Sequence, residues 1–175
     1  MAKRKRDQTK ECSLEEAVDM MIHARRYAVA SAVLVTASID NSFSSTVLQN
    51  DAIGEYDKAE LPEAAMMNAF FAMELIFKAL EGRRGKHLTV HSLSMLFNAL
   101  PEDEKDELRE AYNVSITMWD GSLDLFLERN QDSFVNSRYL HEKRRGAVFL
   151  PSHLTLSLWE AAAEVFPEVR YRLPI

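Results

Sequence analysis

MMNAFFAMELIFKALEGRRGKHLTVHSL, Met66 to Leu93, carries the fold in its spacing. Met66, Phe70, Met73, Phe77 and Leu80 recur at steps of four and three, the period of one helix face. At about 100° per residue, Met67, Phe71 and Leu75 widen that stripe until little of the circumference is polar. This predicts a central helix enclosed by other helices. Pro62 falls in its first turn, where a missing N–H loses no intrahelical bond. Gly82 is expected to end it in a left-handed cap, and the basic loop Arg83, Arg84, Gly85, Lys86 follows.

Two residues break the apolar pattern of this helix. Glu74 and Lys78 stand four apart between Phe70 and Phe77 on one flank and Phe71 and Leu75 on the other. A charge in such a wall needs a partner, and the nearest are each other, with Glu N-terminal to Lys in the favourable order. Upstream, Ser13 with Glu16 forms a capping box that starts a first helix, predicted to run to about Ala37. Leu14, Val18, Met21, Ala28, Ala32 and Val35 share a face from which one position is missing, and Arg25 occupies it. Either its stem snorkels to the surface, or it meets Glu74 in a buried network of Arg25, Glu74 and Lys78.

The remaining chain reads as helices with polar interruptions. Residues 38–60 form a long polar loop with a short helical piece around Val47 to Ala52. His91 stands at the entry of a helix from about Ser92 to Leu100, where it caps, packs or binds a ligand. Pro101 opens an acidic helix through about Thr117, with six acidic residues against two basic over 102–110, most simply a solvated face. Beyond Asp120 and Gly121, a helix is predicted to continue as far as Gly146. Its wheel brings Arg138 and His141 to the side of Leu123, Leu127 and Phe134, with Glu142 placed to hold Arg138. That cluster is either structural or a site. Residues 147–151 are read as an extended connection ahead of Pro151, Ser152 starts the last helix, and Pro167 stops it.

With 175 residues, one domain over 12–167 is expected, between a disordered basic tail over 1–11 and a C-terminal tail over 168–175. Hydrophobic residues at 47% and charged ones at 27% are ordinary for a soluble globule. The longest apolar stretch, Ala28 to Ala37, is too short for a membrane span, which needs roughly 20 residues. A single Cys12 and no Cys/His cluster argue for a reducing cytoplasm, with no metal and no cofactor. The net charge of -6 argues against a general nucleic-acid coat protein. Charge is nevertheless segregated: Lys3, Arg4, Lys5, Arg6 and Lys10 face a single Asp7 over the first ten residues, either as a nucleic-acid arm or as a solubilising tail.

The succession of MELIFKAL, a glycine with a basic loop, HSLSMLFNAL, and later FVNSRYLHE resembles the HEPN superfamily, the higher eukaryote and prokaryote nucleotide-binding domains, over roughly residues 15–165. The resemblance implies an all-α bundle of four to five antiparallel helices, usually dimeric. It also implies work in a toxin–antitoxin or phage-defence system, as a ribonuclease or beside a nucleotidyltransferase or antitoxin partner. The family's catalytic signature is an Arg, a polar residue after it, and a His separated from the Arg by four to six residues. Here Tyr139 follows Arg138, only two residues lie between Arg138 and His141, and Lys143, Arg144 and Arg145 stand where the signature histidine would fall. Arg84 and His91 have six residues between them but lie on the loop.

Metal-free RNA cleavage needs a base for the 2′-hydroxyl proton and a cation for the phosphate. His141 and Arg138 are the pair expected to supply them, across a two-fold axis of a homodimer. Tyr139, Glu142, Arg84 and His91 are expected to line the binding pocket for RNA or a nucleotide. Two other readings stay open: an active metal-independent endoribonuclease, and a non-catalytic interaction module.

Overall fold

Ser13 and Glu16 start the first helix reciprocally, the Ser13 amide donating to Glu16 Oε2 at 2.8 Å and the Glu16 amide to Ser13 Oγ at 3.2 Å. The computed structural model describes residues 9–39, 60–115, 121–131 and 152–172, and in these it is mostly helical with one small sheet. Helix α1 spans Leu14–Ile39 and the central helix α2 spans Glu60–Gly82. They run in opposite senses, since Gly82 at the end of α2 lies against Cys12 and Ala17 at the start of α1. This pair makes the most extensive packing among the described residues.

The buried face of α1 is Ala17, Val18, Met21, Ala24, Ala28 and Ser31, while Leu14 is exposed. It is therefore rotated from the face read in the sequence. The gap in that face is filled by Ala24, and Arg25 falls outside it. Alanines let two helix backbones approach closely, and a pattern weighted by large apolar residues overlooks them. Arg25 is exposed and does not meet Glu74; its guanidinium lies 5.5 Å from the centre of the Trp159 ring.

Gly82 also differs from expectation. It stays in the helix, and the left-handed backbone belongs to Gly85, with φ +79°. What Gly82 supplies is space: a Cβ there would stand 2.9 Å from Cys12 Sγ and 3.1 Å from Ala17 Cβ. After the turn, β2 (Lys86–Leu88) pairs antiparallel with β1 (Thr9–Glu11), with Thr9 opposite Leu88, Lys10 opposite His87 and Glu11 opposite Lys86. The Cys12 amide extends the ladder to Gly85 O at 3.2 Å. The end of the basic tail is thus a strand, and the basic loop is its partner.

Helix α3 (Leu93–Asn98) is capped by Ser92 and buries Leu93, Leu96 and Phe97. Helix α4 (Glu102–Ser115) buries Leu108 and Tyr112. Helix α5 begins at Leu123 but ends at Arg129, far short of Gly146. Asn130 leaves the helix at φ -111°, ψ 16°, and its amide side chain donates back to Phe126 O at 2.9 Å. Gln131 O then accepts the Leu93 amide at 3.1 Å, one of the N–H groups that the first turn of α3 cannot satisfy itself. The helix predicted to continue to Gly146 therefore ends at Arg129, and Arg138 and His141 lie outside the described residues.

Helix α6 (Ser152–Val165) buries Leu154, Leu158, Ala162 and Ala163, and Trp159 Nε1 donates to Met21 O at 2.8 Å. The residues beyond Pro167 are not simply a tail. Pro167–Arg172 form a 3-10 helix that buries Val169, and Arg172 pairs with Glu15 at 3.5 Å. Among the described residues no helix is long and apolar enough to cross a membrane.

Arg109 ties α4 to α5 through a two-pronged contact, with both nitrogens 3.0 Å from the Asp124 carboxylate. Hydrogen bonds from this guanidinium hold the Asp124 carboxyl below its usual range, against the opposing effect of burial. A lowered folded-state value means that the stabilisation is present above about pH 4 and is lost as pH falls through the folded value. Thermal melts at pH 7 and pH 3 are expected to differ less in Asp124→Asn than in the parent, with the variant already less stable at pH 7. An unchanged difference would rule out this pair as a source of acid sensitivity.

Candidate functional site

Glu74 lies about four turns into α2, 2% exposed, in the part of the helix where Met73, Ile76 and Phe77 are fully enclosed. A single oxygen of its carboxylate gathers two nitrogen-bearing side chains. Oε1 accepts from Lys78 Nζ at 2.8 Å and lies 2.9 Å from His91 Nδ1. Its Oε2 is buried without a hydrogen-bond partner among the described residues. Helix spacing brings Lys78 there, four residues on. The ribbon brings His91, since β2 runs back along α2 and delivers the residue just before the Ser92 cap.

Lys78 is buried, whereas the His91 side chain is 52% exposed, so the histidine is the member of this cluster that reaches the surface. A carboxylate facing Nδ1 favours the tautomer with the proton on that nitrogen and fixes the plane of the ring. An imidazole held this way is suited to hydrogen-bonding or exchanging a proton with a ligand.

Arg84 is occupied differently from the expectation that placed it in a pocket with His91. Its guanidinium spans the buried carboxylates of Glu81 and Glu104, with Nη1 2.5 Å from Glu104 Oε1. Burial disfavours the charge on Arg84, but the hydrogen bonds and charges of Glu81 and Glu104 outweigh it and keep its pKa above the usual arginine value. Arg83 adds a bond to the same Glu104 oxygen at 2.6 Å and lies 5.6 Å from the Phe166 ring centre. This second cluster fastens the end of α2 to the first turn of α4 and is built from other residues than the Glu74–His91 group. Glu104, read as part of a solvated face, is 3% exposed. Its signal was present in the sequence, since Glu104, Leu108 and Tyr112 follow one another at steps of four.

Arg138, Tyr139, His141 and Glu142 lie outside the described residues. So do residues 40–59 of the predicted 38–60 loop, the 147–151 connection and the first eight residues. Among the described residues no three His, Cys, Asp or Glu side chains are grouped to hold a metal ion. An open groove of about 310 Å³ between α4 and α6 is floored by Ala111 and Ala161. Its rim of Glu107, Glu110, Glu160 and Glu164 repels phosphate, so it does not suit a nucleotide. Comparison with known proteins finds no matching family model, no matching curated protein and no matching solved structure.

Proposed function

We propose that this chain is a HEPN-like helical domain that binds RNA or a nucleotide in a toxin–antitoxin or phage-defence system. In this reading it is a cytoplasmic homodimer with a nucleotidyltransferase or antitoxin as its partner. The observation that carries the reading is the convergence of two short motifs on one oxygen atom. Glu74 and Lys78 come from MELIFKAL, His91 comes from HSL, and both segments belong to the stretch that carries the family resemblance. A buried carboxylate that orients a half-exposed histidine supplies the hydrogen-bonding group that a base edge or a phosphate requires.

Arg138 and His141, with Tyr139 and Glu142, complete the proposed site from the later motif. Titration of labelled single-stranded RNA and of ATP tests the reading. His91→Ala is expected to weaken binding at least about tenfold, the loss of one charge-assisted hydrogen bond. Its melting temperature should move little, because a half-exposed side chain contributes little to the core. Unchanged affinity in His91→Ala, Arg138→Ala and His141→Ala would remove all three from the site. Cleavage of the RNA in EDTA, abolished by His141→Ala, would promote the domain to a metal-independent endoribonuclease.

A further inference from the structure

The groove between α4 and α6 has no part in the site built around Glu74 and His91. Its two helices run in opposite senses, since Arg83 meets both Glu104 in the first turn of α4 and Phe166 just beyond the end of α6. Each helix therefore forms one rail. Glu107 and Glu110 stand along α4, Glu160 and Glu164 along α6, and all four are exposed. Ala111 and Ala161 lie between the rails, and Val114, 76% exposed, stands at one end. From Glu107 to Val114 and from Ser157 to Glu164 the groove runs about two helical turns, or ~10 Å.

Charge on these rails is left unbalanced, although it is balanced on other sides of α4. Glu102 and Asp106 pair with Arg109, and Glu104 pairs with Arg83 and Arg84. Glu107, Glu110 and Glu160 make no ion pair among the described residues, and Glu164 pairs with the exposed Arg170. Glu107 and Glu110 are three apart and Glu160 and Glu164 four apart, spacings at which like charges repel on a helix face. The floor between them is apolar and made of small side chains, so the backbone of another helix can come close, and a third helix can lay its ridge between two antiparallel ones. A small polycation gains nothing from exposed alanine and valine, and a purely apolar molecule gains nothing from four carboxylates. A helix with an apolar stripe flanked by lysines or arginines is complementary to both. A volume of about 310 Å³ is at the small end for ligand clefts, and it holds side chains better than a whole small molecule.

We infer that the groove between α4 and α6 docks a basic amphipathic helix of a partner protein. The apolar stripe of that helix lies over Ala111 and Ala161, and its cations face Glu107, Glu110 and Glu160. The docking surface uses none of the residues assigned to RNA or nucleotide binding, so it stands or falls independently of that reading.

The probe is a labelled peptide of about 18 residues made of Leu, Ala and Lys, long enough to form a helix, with leucines at steps of three and four and lysines on both flanks. Fluorescence anisotropy measures its binding to the full chain, and amide chemical shifts locate it. The peptide should shift the amides of Ala111 and Ala161 and lose affinity as salt rises from about 50 to 300 mM. Glu107→Gln, Glu110→Gln and Glu160→Gln made together should weaken binding at least about tenfold and raise the melting temperature slightly, because repulsion along the rails is relieved. Ala161→Phe, which fills the floor, should weaken binding as much in a chain that still melts cooperatively. A peptide of the same composition with its leucines scattered around the helix, and spermine, should each bind at least about tenfold more weakly than the patterned peptide. No binding of the patterned peptide, equal binding by the scattered one, or unchanged affinity in the triple variant would overturn the inference. Spermine binding as tightly would make the groove a polyamine site instead, and shifts confined to other helices would place the peptide elsewhere. If changing Lys3, Arg4, Lys5 and Arg6 to Ala moves the Ala111 and Ala161 amides with no peptide present, the chain's own arm is the occupant and the inference also fails.

Discussion

Glu74→Ala is expected to destabilise the protein by about 3–5 kcal/mol, the cost of leaving one member of a buried ion pair without its counter-charge. Lys78 is the residue left behind. Its side chain is 9% exposed and its ammonium is bonded to Glu74 Oε1. For a chain of this size the loss corresponds to a fall in melting temperature of roughly 10 °C. Glu74→Leu combined with Lys78→Met removes both charges together and should recover most of that stability, since apolar residues of similar volume often replace a buried pair at no net cost. The same double variant leaves His91 without the carboxylate that orients it, so it should fold and yet bind RNA poorly. If Glu74→Ala melts within a degree or two of the parent, the ammonium of Lys78 reaches water and the cluster is not a buried one. If the double variant both folds and binds as the parent does, the carboxylate has no part in presenting His91.

Glu104→Ala should cost about 2–3 kcal/mol, within the range for a charge-assisted hydrogen bond and below that of a fully buried pair. One oxygen of Glu104 holds Arg83 and Arg84 together. The two guanidinium side chains are about a quarter exposed, and water softens their loss of a partner. Glu104→Gln keeps an acceptor in place and should be milder. Asp103→Ala, one residue earlier in the same acidic run and exposed, should stay within about 0.5 kcal/mol of the parent. Chemical denaturation of the three variants reads all of these values. Equal effects from Glu104→Ala and Asp103→Ala would mean that the acidic run acts as one solvated face after all.

The sequence by itself determined the helices whose apolar residues are large and regularly spaced. Phe70, Met73, Phe77 and Leu80 mark α2 without ambiguity, and the Ser13 and Glu16 cap marks where α1 begins, because both signals are local and complete within one or two turns. The Glu74 and Lys78 pair was legible for the same reason. Tertiary structure alone decided what depends on distant partners. It turned α1 so that Ala24 faces the core and Arg25 faces Trp159, since small side chains gain their value only from the helix that packs on them. It ended α5 at Arg129, beyond which the carbonyl of Gln131 accepts the amide of Leu93, a partner invisible within the helix itself. And it joined His91 to Glu74 across seventeen residues, because a strand pairing far along the chain returns the backbone beside the helix it has just left.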